Sequence, residues 1–255
     1  MENTKNYFLS DVSVMLGRSM KHITRSIDTI ITTAIMPVAI MLLFVYVLGG
    51  AIQSNSDSYI NYQLPGILLI TISMGISYTA YRLFHDKQNG IFERFHSMPI
   101  ARSAPLWGHA LTSVITTMVS ATLVVLVAFV LGFRSSAKIT SWLMVIGILV
   151  LLTLALTWIA VIAGLLAKTA DGATAFSYPL IFLPFLSSAF VPTDTMPKAL
   201  RVFAENQPVT PIVDSVRALL EGQAINNDIW IALAWCAGIL VVTYTIAIHL
   251  YRKNV

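Results

Sequence analysis

The chain has 255 residues, of which 56% are apolar and only 11% are charged, and its formal net charge is +4. Its mean hydropathy of +0.77 excludes a soluble domain, because so few charged side chains cannot cover the surface of a soluble protein of this size. The composition predicts an all-α integral membrane protein, since apolar runs of about 20 residues cross a bilayer as helices.

The first 28 residues predict an amphipathic helix that precedes the membrane domain. The positions that recur at helical spacing on its less polar side are Phe8, Val12, Met15, Ser19 and Ile23. The other side carries Asp11, Arg18, Lys21, His22 and Arg25. A helix this basic is too polar to span, so we expect it to lie along the inner membrane surface; a solvated helix packed on a partner is the alternative. This mixed composition predicts no cleavable signal peptide.

Six apolar runs follow and define one transmembrane domain over residues 29–255. Each is long enough to cross a hydrocarbon layer of about 30 Å, and they are Ile30–Leu48, Leu64–Phe84, Ala110–Gly132, Trp142–Ala167, Ala173–Val191 and Ile229–Leu250. Pro37 predicts a kink in the first run, and Gly49-Gly50 ends it. Arg82 and His249 lie at span ends, where their side chains can reach the headgroups.

Basic residues are distributed unevenly over the segments that link these runs. If both termini are cytoplasmic, 11 of the 16 lysines and arginines lie inside, and the other five, outside, are Arg134, Lys138, Lys198, Arg201 and Arg217. All five histidines also fall on the inner side. This asymmetry follows the positive-inside rule. The net positive charge therefore indicates membrane topology, and no nucleic-acid partner is predicted.

A short charged segment, GIFERFHSMP at residues 90–99, separates the second and third runs. Asn89-Gly90 can start a helix here, and Met98-Pro99 can end it. On this helix Ile91, Phe92 and Phe95 would lie along one side. The polar residues Glu93, Arg94 and His96 would face elsewhere. A short helix with an aromatic anchor and a charged rim fits a groove on a partner protein; an ordinary solvated loop helix fits the same pattern.

The outer link between the fifth and sixth runs, over residues 192–228, predicts two amphipathic helices. Met196, Leu200 and Phe203 share one face of the first helix. For the second, Thr210 is the predicted N-cap, with Pro211 at the first helical position. Gly222 is the predicted stop. Both helices would rest in the outer leaflet or dip into it.

Several kinds of chemistry are missing from the sequence. It contains no G-x-x-x-x-G-K-[ST] phosphate loop, no H-E-x-x-H motif and no His or Cys pair at metal-ligand spacing. No acidic residue lies near the centre of a run, which disfavours a proton-driven transporter, and Cys236 is interpreted as a packing residue. We therefore predict no catalytic residue, no metal and no cofactor on this chain, which would take its energy from a partner through residues 90–99.

Two motifs resemble one known family. The pattern D-x-x-x-G-x-x-x-R-x-x-x-x-P-I-x-R, formed by Asp86, Gly90, Arg94, Pro99, Ile100 and Arg102, resembles the cytoplasmic loop of ABC type-2 exporter permeases. The stretch over residues 187–222, SSAFVPTDTMP and later NQPVTP, is similar to that family's outer hallmark, and closest to its daunorubicin-resistance-type drug-export branch. Both motifs, the amphipathic start and the six runs together cover essentially the whole chain.

The resemblance implies a dimer of six-span permease subunits, expected to be a homodimer, in a bacterial cell membrane with both termini cytoplasmic. Two separate ATPase subunits would bind ATP and Mg. Residues Gly90, Ile91, Phe92, Glu93, Arg94, Phe95 and His96 would form the coupling helix that docks on the ATPase. An outer helical cap would be shaped by Pro192, Met196, Pro197, Asn206, Pro208, Thr210 and Pro211.

Cargo contacts are less specified by the sequence. Small and hydroxyl-bearing residues in the second and fifth runs could line a path, namely Ser73, Ser77, Tyr78, Tyr81, Ser177 and Tyr178; ordinary helix packing is the alternative. Pro179 and Pro184 are predicted bend points. An uncharged lining suits an amphiphilic or apolar cargo such as a drug. An exporter of polysaccharide or lipid in the same family, a proton-coupled drug carrier and a non-transporting membrane scaffold remain the alternatives.

Overall fold

The computed structural model of the chain is a bundle of α-helices, and it describes residues 8–23, 31, 35–48, 59–96, 101, 103–223 and 227–254. These residues contain no β-strand. The helices are α1 (Phe8–Ile23), α2 (Met36–Leu43), α3 (Tyr59–Gln88), α4 (Ile91–His96), α5 (Ala104–Val130), α6 (Ile139–Leu166), α7 (Ala170–Ala175), α8 (Ser177–Phe182), α9 (Lys198–Asn206), α10 (Val209–Leu220) and α11 (Asp228–Asn254). The predicted all-α class is confirmed.

Four of these helices, α3, α5, α6 and α11, are long and apolar enough to cross a membrane. All four begin before the predicted runs, and α3, for example, begins at Tyr59, whereas the apolar run begins at Leu64. At the other end, α3 and α11 extend beyond their runs. Polar residues such as Asn61 and Lys87 occupy these extra turns, because a helix continues from the hydrocarbon into the headgroup layer. α6 lies at the centre of the bundle and packs against α3, α5, α10 and α11.

The first apolar run is described at Ile31 and over residues 35–48. α2 occupies part of it, and a π-helical turn over Phe44–Leu48 follows. Pro37 lies in the first turn of α2. The kink predicted at Pro37 depends on the residues before Ile35 and stays a prediction, and Gly49-Gly50 lie outside the described residues.

The fifth apolar run is not the single helix that the sequence predicts. It is divided into α7, α8 and a 3₁₀ helix over Leu183–Leu186. Pro179 and Pro184 each lie in the first turn of a new segment, because proline lacks the N–H that an interior turn requires. The run is thus interrupted near both prolines, and their role as bend points stays a prediction. The total of six spans stays a prediction.

The two outer helices are present where the sequence predicts them, but the second is more deeply buried. α9 exposes Val202 and Phe203, which are 55% and 47% accessible. By contrast, α10 packs against α3, α6 and α11 and buries residues such as Ile212 and Val213. The apolar side of α10 is therefore covered by the bundle itself, and the position of both helices relative to the outer leaflet stays a prediction. Met196, expected on the first outer helix, precedes it in extended backbone.

α3 and α6 approach each other closely at Gly164. A Cβ built on Gly164 would lie 2.8 Å from the carbonyl oxygen of Ala80 and 3.0 Å from the Cβ of Leu83. A glycine permits this approach, as small residues commonly do between membrane helices. Because one of the two obstructing atoms belongs to the backbone of α3, it cannot move aside by changing a rotamer.

We expect Gly164→Val to destabilise the protein by about 1–3 kcal/mol, because the added methyl groups must displace the backbone of α3. The measurement is the midpoint of thermal unfolding of the purified protein in mild detergent. Gly147→Val, also in α6, is the control because nothing lies within 4 Å of a Cβ built there. Both changes alter helix propensity alike, so equal midpoints would contradict the close contact at Gly164.

Candidate functional site

α4 follows α3 after a sharp turn at Asn89-Gly90. Gly90 has a φ of +66°, a left-handed conformation that glycine adopts without strain. The carbonyl of Gly90 accepts a hydrogen bond from the backbone N of Arg94 at 3.3 Å. The turn and the helix thus begin where the sequence predicts, whereas the predicted stop at Met98-Pro99 lies outside the described residues.

Phe92 faces into the bundle, not toward a partner. It is only 1% exposed, and it packs with Leu83 of α3 and Leu106 of α5. Its ring centre lies 5.7 Å from that of Tyr251 in α11. The assignment of Phe92 to a partner-binding face is therefore corrected, because the side chain is covered by residues of its own chain. Its role is to attach α4 to three long helices.

The remaining described side chains of α4 form what we call the charged face, which consists of Ile91, Glu93, Arg94 and Phe95. Glu93 and Arg94 are exposed, and Ile91 and Phe95 are partly exposed. The side chain of His96 lies outside the part of the chain that the structure describes. A surface with both charges beside an aromatic ring is suited to contact another protein.

α1 packs on α5 beside α4. Val12, Met15 and Ser19 are buried, and a Cβ built on Gly108 of α5 would lie 2.6 Å from the Cβ of Met15. The predicted amphipathic helix is thus present. Its less polar side contacts the bundle of its own chain, while Val14 on the other side is 64% exposed.

Two contacts connect α1 to the segment that contains α4. The carboxylate of Asp11 accepts a hydrogen bond from the backbone N of Ala101 at 3.0 Å. The guanidinium carbon of Arg18 lies 5.3 Å from the ring centre of Phe95. α1 and α4 therefore belong to one surface, at what we call the α4 end of the bundle.

Asp86 lies in a polar cluster at the α4 end. Its Oδ2 is 3.0 Å from Nε2 of His109, and its Oδ1 is 3.6 Å from Nη2 of Arg18. His109 is only 4% exposed. One carboxylate therefore connects α1, α3 and α5, which gives a structural reason for an acidic residue at the start of the loop motif.

An open pocket of about 430 Å³ lies between α1 and α3, next to this cluster. Its lining includes Arg18, Tyr78, Tyr81, Arg82 and His85. The ring centres of Tyr78 and Tyr81 are 6.1 Å apart, and the guanidinium carbon of Arg82 lies 6.0 Å from the Tyr78 ring centre. Two guanidinium groups and two phenol rings thus border one cavity.

The residues predicted to line a cargo path have different surroundings. The serines take part in helix packing, since Ser177 Oγ donates to Ser77 Oγ at 3.0 Å and Ser73 Oγ donates to the Leu180 carbonyl at 3.2 Å. Tyr78 and Tyr81 border the pocket, and Tyr178 is 59% exposed. Ordinary packing therefore accounts for the three serines, and a path along the three tyrosines stays a prediction.

At the opposite end of the bundle, the predicted cap residues mark the ends of short helices. Pro192 precedes a 3₁₀ helix over Thr193–Thr195, and Pro197 caps α9. Asn206 ends α9, where its side-chain amide donates to the carbonyl of Val202 at 2.8 Å. These residues lie where the short helices begin and end, and their part in an outer cap stays a prediction.

Thr210 is not the N-cap of α10. That position belongs to Pro208, so Thr210 and Pro211 both lie inside the first turn and are buried. The hydroxyl of Thr210 donates instead to the carbonyl of Ala204 in α9, at 2.5 Å. The prediction failed because the same side chain had a tertiary acceptor available, and the bond joins the end of α9 to the start of α10.

An arginine-centred network at this end is not predicted by the sequence. Arg217 donates to the Asp214 carboxylate at 2.7 Å, to the Ser188 carbonyl at 2.7 Å and to the Tyr62 carbonyl at 3.2 Å. Its guanidinium carbon also lies 4.0 Å from the centre of the Tyr62 ring. The network connects α10 to α3 and to the turn that follows the broken fifth run.

Asp214 completes this network by accepting a hydrogen bond from the Ser188 hydroxyl at 2.6 Å. Burial raises the pKa of Asp214 above its ordinary value, although the Ser188 hydrogen bond and Arg217 oppose the rise. The only local signal for the pair in the sequence is its spacing of three residues on one helix. That spacing is common on solvated helices, so it does not indicate a buried network.

Comparison with known proteins identifies the family. The profile of the ABC-2 type transporter family matches residues 10–220, which is more than half of the chain. The match spans α1, α4 and both outer helices. The chain belongs to the ABC-2 type transporter family. The resemblance found in the two motifs is therefore confirmed.

Curated relatives of this ABC-2 protein cover most of its length. The daunorubicin resistance ABC transporter permease protein DrrB1 of Streptomyces coeruleorubidus is 28% identical over 229 residues, which is 88% of this chain and 80% of the relative. The probable doxorubicin resistance ABC transporter permease protein DrrC of Mycobacterium tuberculosis is 25% identical over 244 residues, or 94% and 88%. The putative transport permease ycf38 of Cyanophora paradoxa is 24% identical over 221 residues, or 85% and 76%.

As an ABC-2 permease, the chain is a transport subunit and not a catalytic one. Within the described ranges, no group of three or more His, Cys, Asp or Glu side chains could hold a metal ion. Cys236 is buried and unpaired in α11.

Proposed function

We propose that this ABC-2 permease is the membrane subunit of an ATP-driven exporter that moves an amphiphilic or apolar drug or antibiotic out of the cell. Two separate ATPase subunits would bind ATP and Mg²⁺, and two copies of the permease would form a homodimer. The cargo class is supported by the names of the DrrB1 and DrrC relatives. The observation that carries the coupling role is that α4 is attached firmly on one side and exposes charge on the other.

The packing behind α4 would pass movement of this helix into the bundle. Phe92 contacts Tyr251, and the neighbouring aromatic residues Trp107, Trp158 and Tyr244 come from three long helices. The ring centres of Trp107 and Trp158 are 5.3 Å apart, and those of Trp158 and Tyr244 are 4.8 Å apart. Closure of the ATPases would push α4, and this rigid cluster would tilt α3, α5 and α11 together.

The charged face is tested by removing charge without disturbing Phe92. We expect the double variant Glu93→Ala, Arg94→Ala to reduce co-purification of the ATPase about fivefold or more, since a contact that matters contributes over 1 kcal/mol. Gln88→Ala, exposed at the same end, is the control. Measurements are ATPase recovery and drug export at equal membrane levels, and unchanged values for both would exclude docking at α4.

The proposed orientation places both termini and α4 in the cytoplasm. In a Cys236→Ala background, we expect Ser13→Cys in α1 to react with an impermeant thiol reagent only from inside. Glu205→Cys in α9 should react only from outside, because both positions are exposed at opposite ends of the bundle. Labelling of position 205 from inside would reverse the topology, and the proposed coupling role of α4 would fail with it.

A cargo assay completes the test of function. Reconstituted permease with its ATPase should move an anthracycline across vesicle membranes only when ATP is present. Collapse of the proton gradient should leave that transport unchanged, because the described spans carry no acidic side chain near their centres. Movement of a lipid-linked saccharide, with no movement of the drug, would retain the exporter and reassign the cargo.

A further inference from the structure

The pocket between α1 and α3 has an excess of positive charge. Arg18 and Arg82 border it, together with one carboxylate, that of Asp86. This carboxylate is already shared between Arg18 and His109. The pocket therefore offers guanidinium donors to an anion, and arginine's planar fork suits the oxygens of a phosphate.

The position of Arg82 along α3 places the pocket at the edge of a membrane. Arg82 lies six residues before the last residue of α3, Gln88, which corresponds to about 9 Å along the helix axis. A headgroup layer extends about 5–8 Å beyond the hydrocarbon on each side. With Gln88 at the aqueous edge of the headgroup layer, the Arg82 backbone lies near the hydrocarbon boundary, and its long side chain can reach back to the level of the lipid phosphates.

The remaining lining continues from this charged level toward the hydrocarbon. Tyr81 and Tyr78 lie one and four residues before Arg82 in α3, on the side toward the hydrocarbon, and Tyr81 is 38% exposed. Tyrosine is enriched at this depth because its ring contacts chains and its hydroxyl contacts water. The amphipathic helix α1 provides the opposite wall.

We propose that this pocket binds the headgroup phosphate of an anionic phospholipid. Arg82 and Arg18 would donate to the phosphate, and the rings of Tyr78 and Tyr81 would contact the glycerol and the first acyl carbons. Basic pockets between membrane helices bind lipid headgroups in this way. A free phosphate would make no use of the two phenol rings, so the lining favours a lipid. The proposal requires only that the α4 end lie at a membrane surface and does not depend on the cargo.

Native mass spectrometry of the purified permease in mild detergent tests the proposal, with phosphatidylglycerol and phosphatidylcholine of equal chain length as probes. We expect phosphatidylglycerol to bind more tightly, and Arg82→Gln to weaken that binding about fivefold. Arg82→Lys should retain part of it, because charge remains while the fork is lost. Lys253→Gln, exposed near the same end of the bundle, should bind like the wild type.

Arg18→Gln provides a second variant, since the Arg18 side chain is 46% exposed and glutamine keeps much of its aliphatic stem. Equal binding of the two lipids, or wild-type binding by both glutamine variants, would overturn the proposal. Displacement of phosphatidylglycerol by millimolar inorganic phosphate would assign the pocket to a free anion and overturn the lipid. Dissociation of a dimer by Arg82→Gln, with unchanged lipid binding per chain, would show an interface between copies instead.

Discussion

Arg217→Ala is expected to destabilise the permease by about 1–3 kcal/mol, because partly buried carbonyls lose their charged donor. The Asp214 side chain is 35% exposed, so water compensates part of the lost ion pair. The Arg217 side chain is only 13% exposed. Its loss would leave the Asp214 carboxylate with Ser188 alone, and the carbonyls of Ser188 and Tyr62 would lose a charged donor. Unfolding of the purified protein in mild detergent provides the measurement.

Arg201→Ala is the matched control for this variant. Arg201 lies in the neighbouring helix α9 and pairs with Asp194 and Glu205 at the surface. Exposed ion pairs contribute little to stability, so we expect an unfolding midpoint close to that of the wild type. An equal loss in both variants would show that the buried network is worth no more than a surface pair.

The loss caused by Arg217→Ala should also depend on pH. Burial already raises the pKa of Asp214, and removal of the arginine raises it further. The folded variant then binds a proton that the unfolded chain releases above about pH 4. Its stability therefore falls as pH rises through the folded pKa, and the deficit should be smaller near pH 5 than near pH 8. A deficit independent of pH would indicate lost packing instead.

Phe92→Ala is expected to lower the free energy of unfolding by about 3–5 kcal/mol, because it empties a buried site among three helices. Phe203→Ala on α9 is the control, since that ring is 47% exposed. We also expect Phe92→Ala to reduce drug-stimulated ATP hydrolysis by the ATPase. The comparison uses membranes that contain the variant or the wild-type permease at equal level, together with the ATPase. Loss of the ring frees α4 to move without tilting α3, α5 and α11.

Phe92→Ala and the double variant Glu93→Ala, Arg94→Ala should impair different properties, namely stability and ATPase binding. Removing the Glu93 and Arg94 side chains should weaken binding of the ATPase while the unfolding midpoint of the permease falls much less than in Phe92→Ala, because both side chains are exposed. Phe92→Ala should lower the midpoint, and the ATPase should still bind when the protein is kept folded at low temperature. If both variants lost only binding, Phe92 would belong to the docking surface after all.

The long helices were predictable because a run of about 20 apolar residues is long enough to cross a bilayer as a helix. α3 and α11 contain their apolar runs entirely, and α5 and α6 contain theirs except for the last one or two residues. Their ends were not predictable to the residue, since the headgroup layer admits polar side chains such as Asn61 without ending a helix. The start of α4 was predictable from Asn89-Gly90, because the turn requires a left-handed φ that glycine provides.

What the sequence could not provide is the direction in which each amphipathic face points. The apolar side of α10 has the same periodicity whether it meets lipid or other helices, and only the fold shows that it meets helices. Phe92 and Phe95 likewise look equivalent along α4. Phe92 is distinguished by its contact with Tyr251, which lies far away in the sequence. The network of Arg217 likewise needs acceptors from distant residues, Tyr62 and Ser188.

The divided fifth run has a consequence for how the protein is made. Its breaks leave backbone carbonyls without helical donors, and distant side chains supply the bonds: Ser73 donates to Leu180, and Gln207 donates to Leu186. Hydrocarbon offers no such donors. We therefore expect this segment to insert stably only beside α3 and together with the residues that follow it.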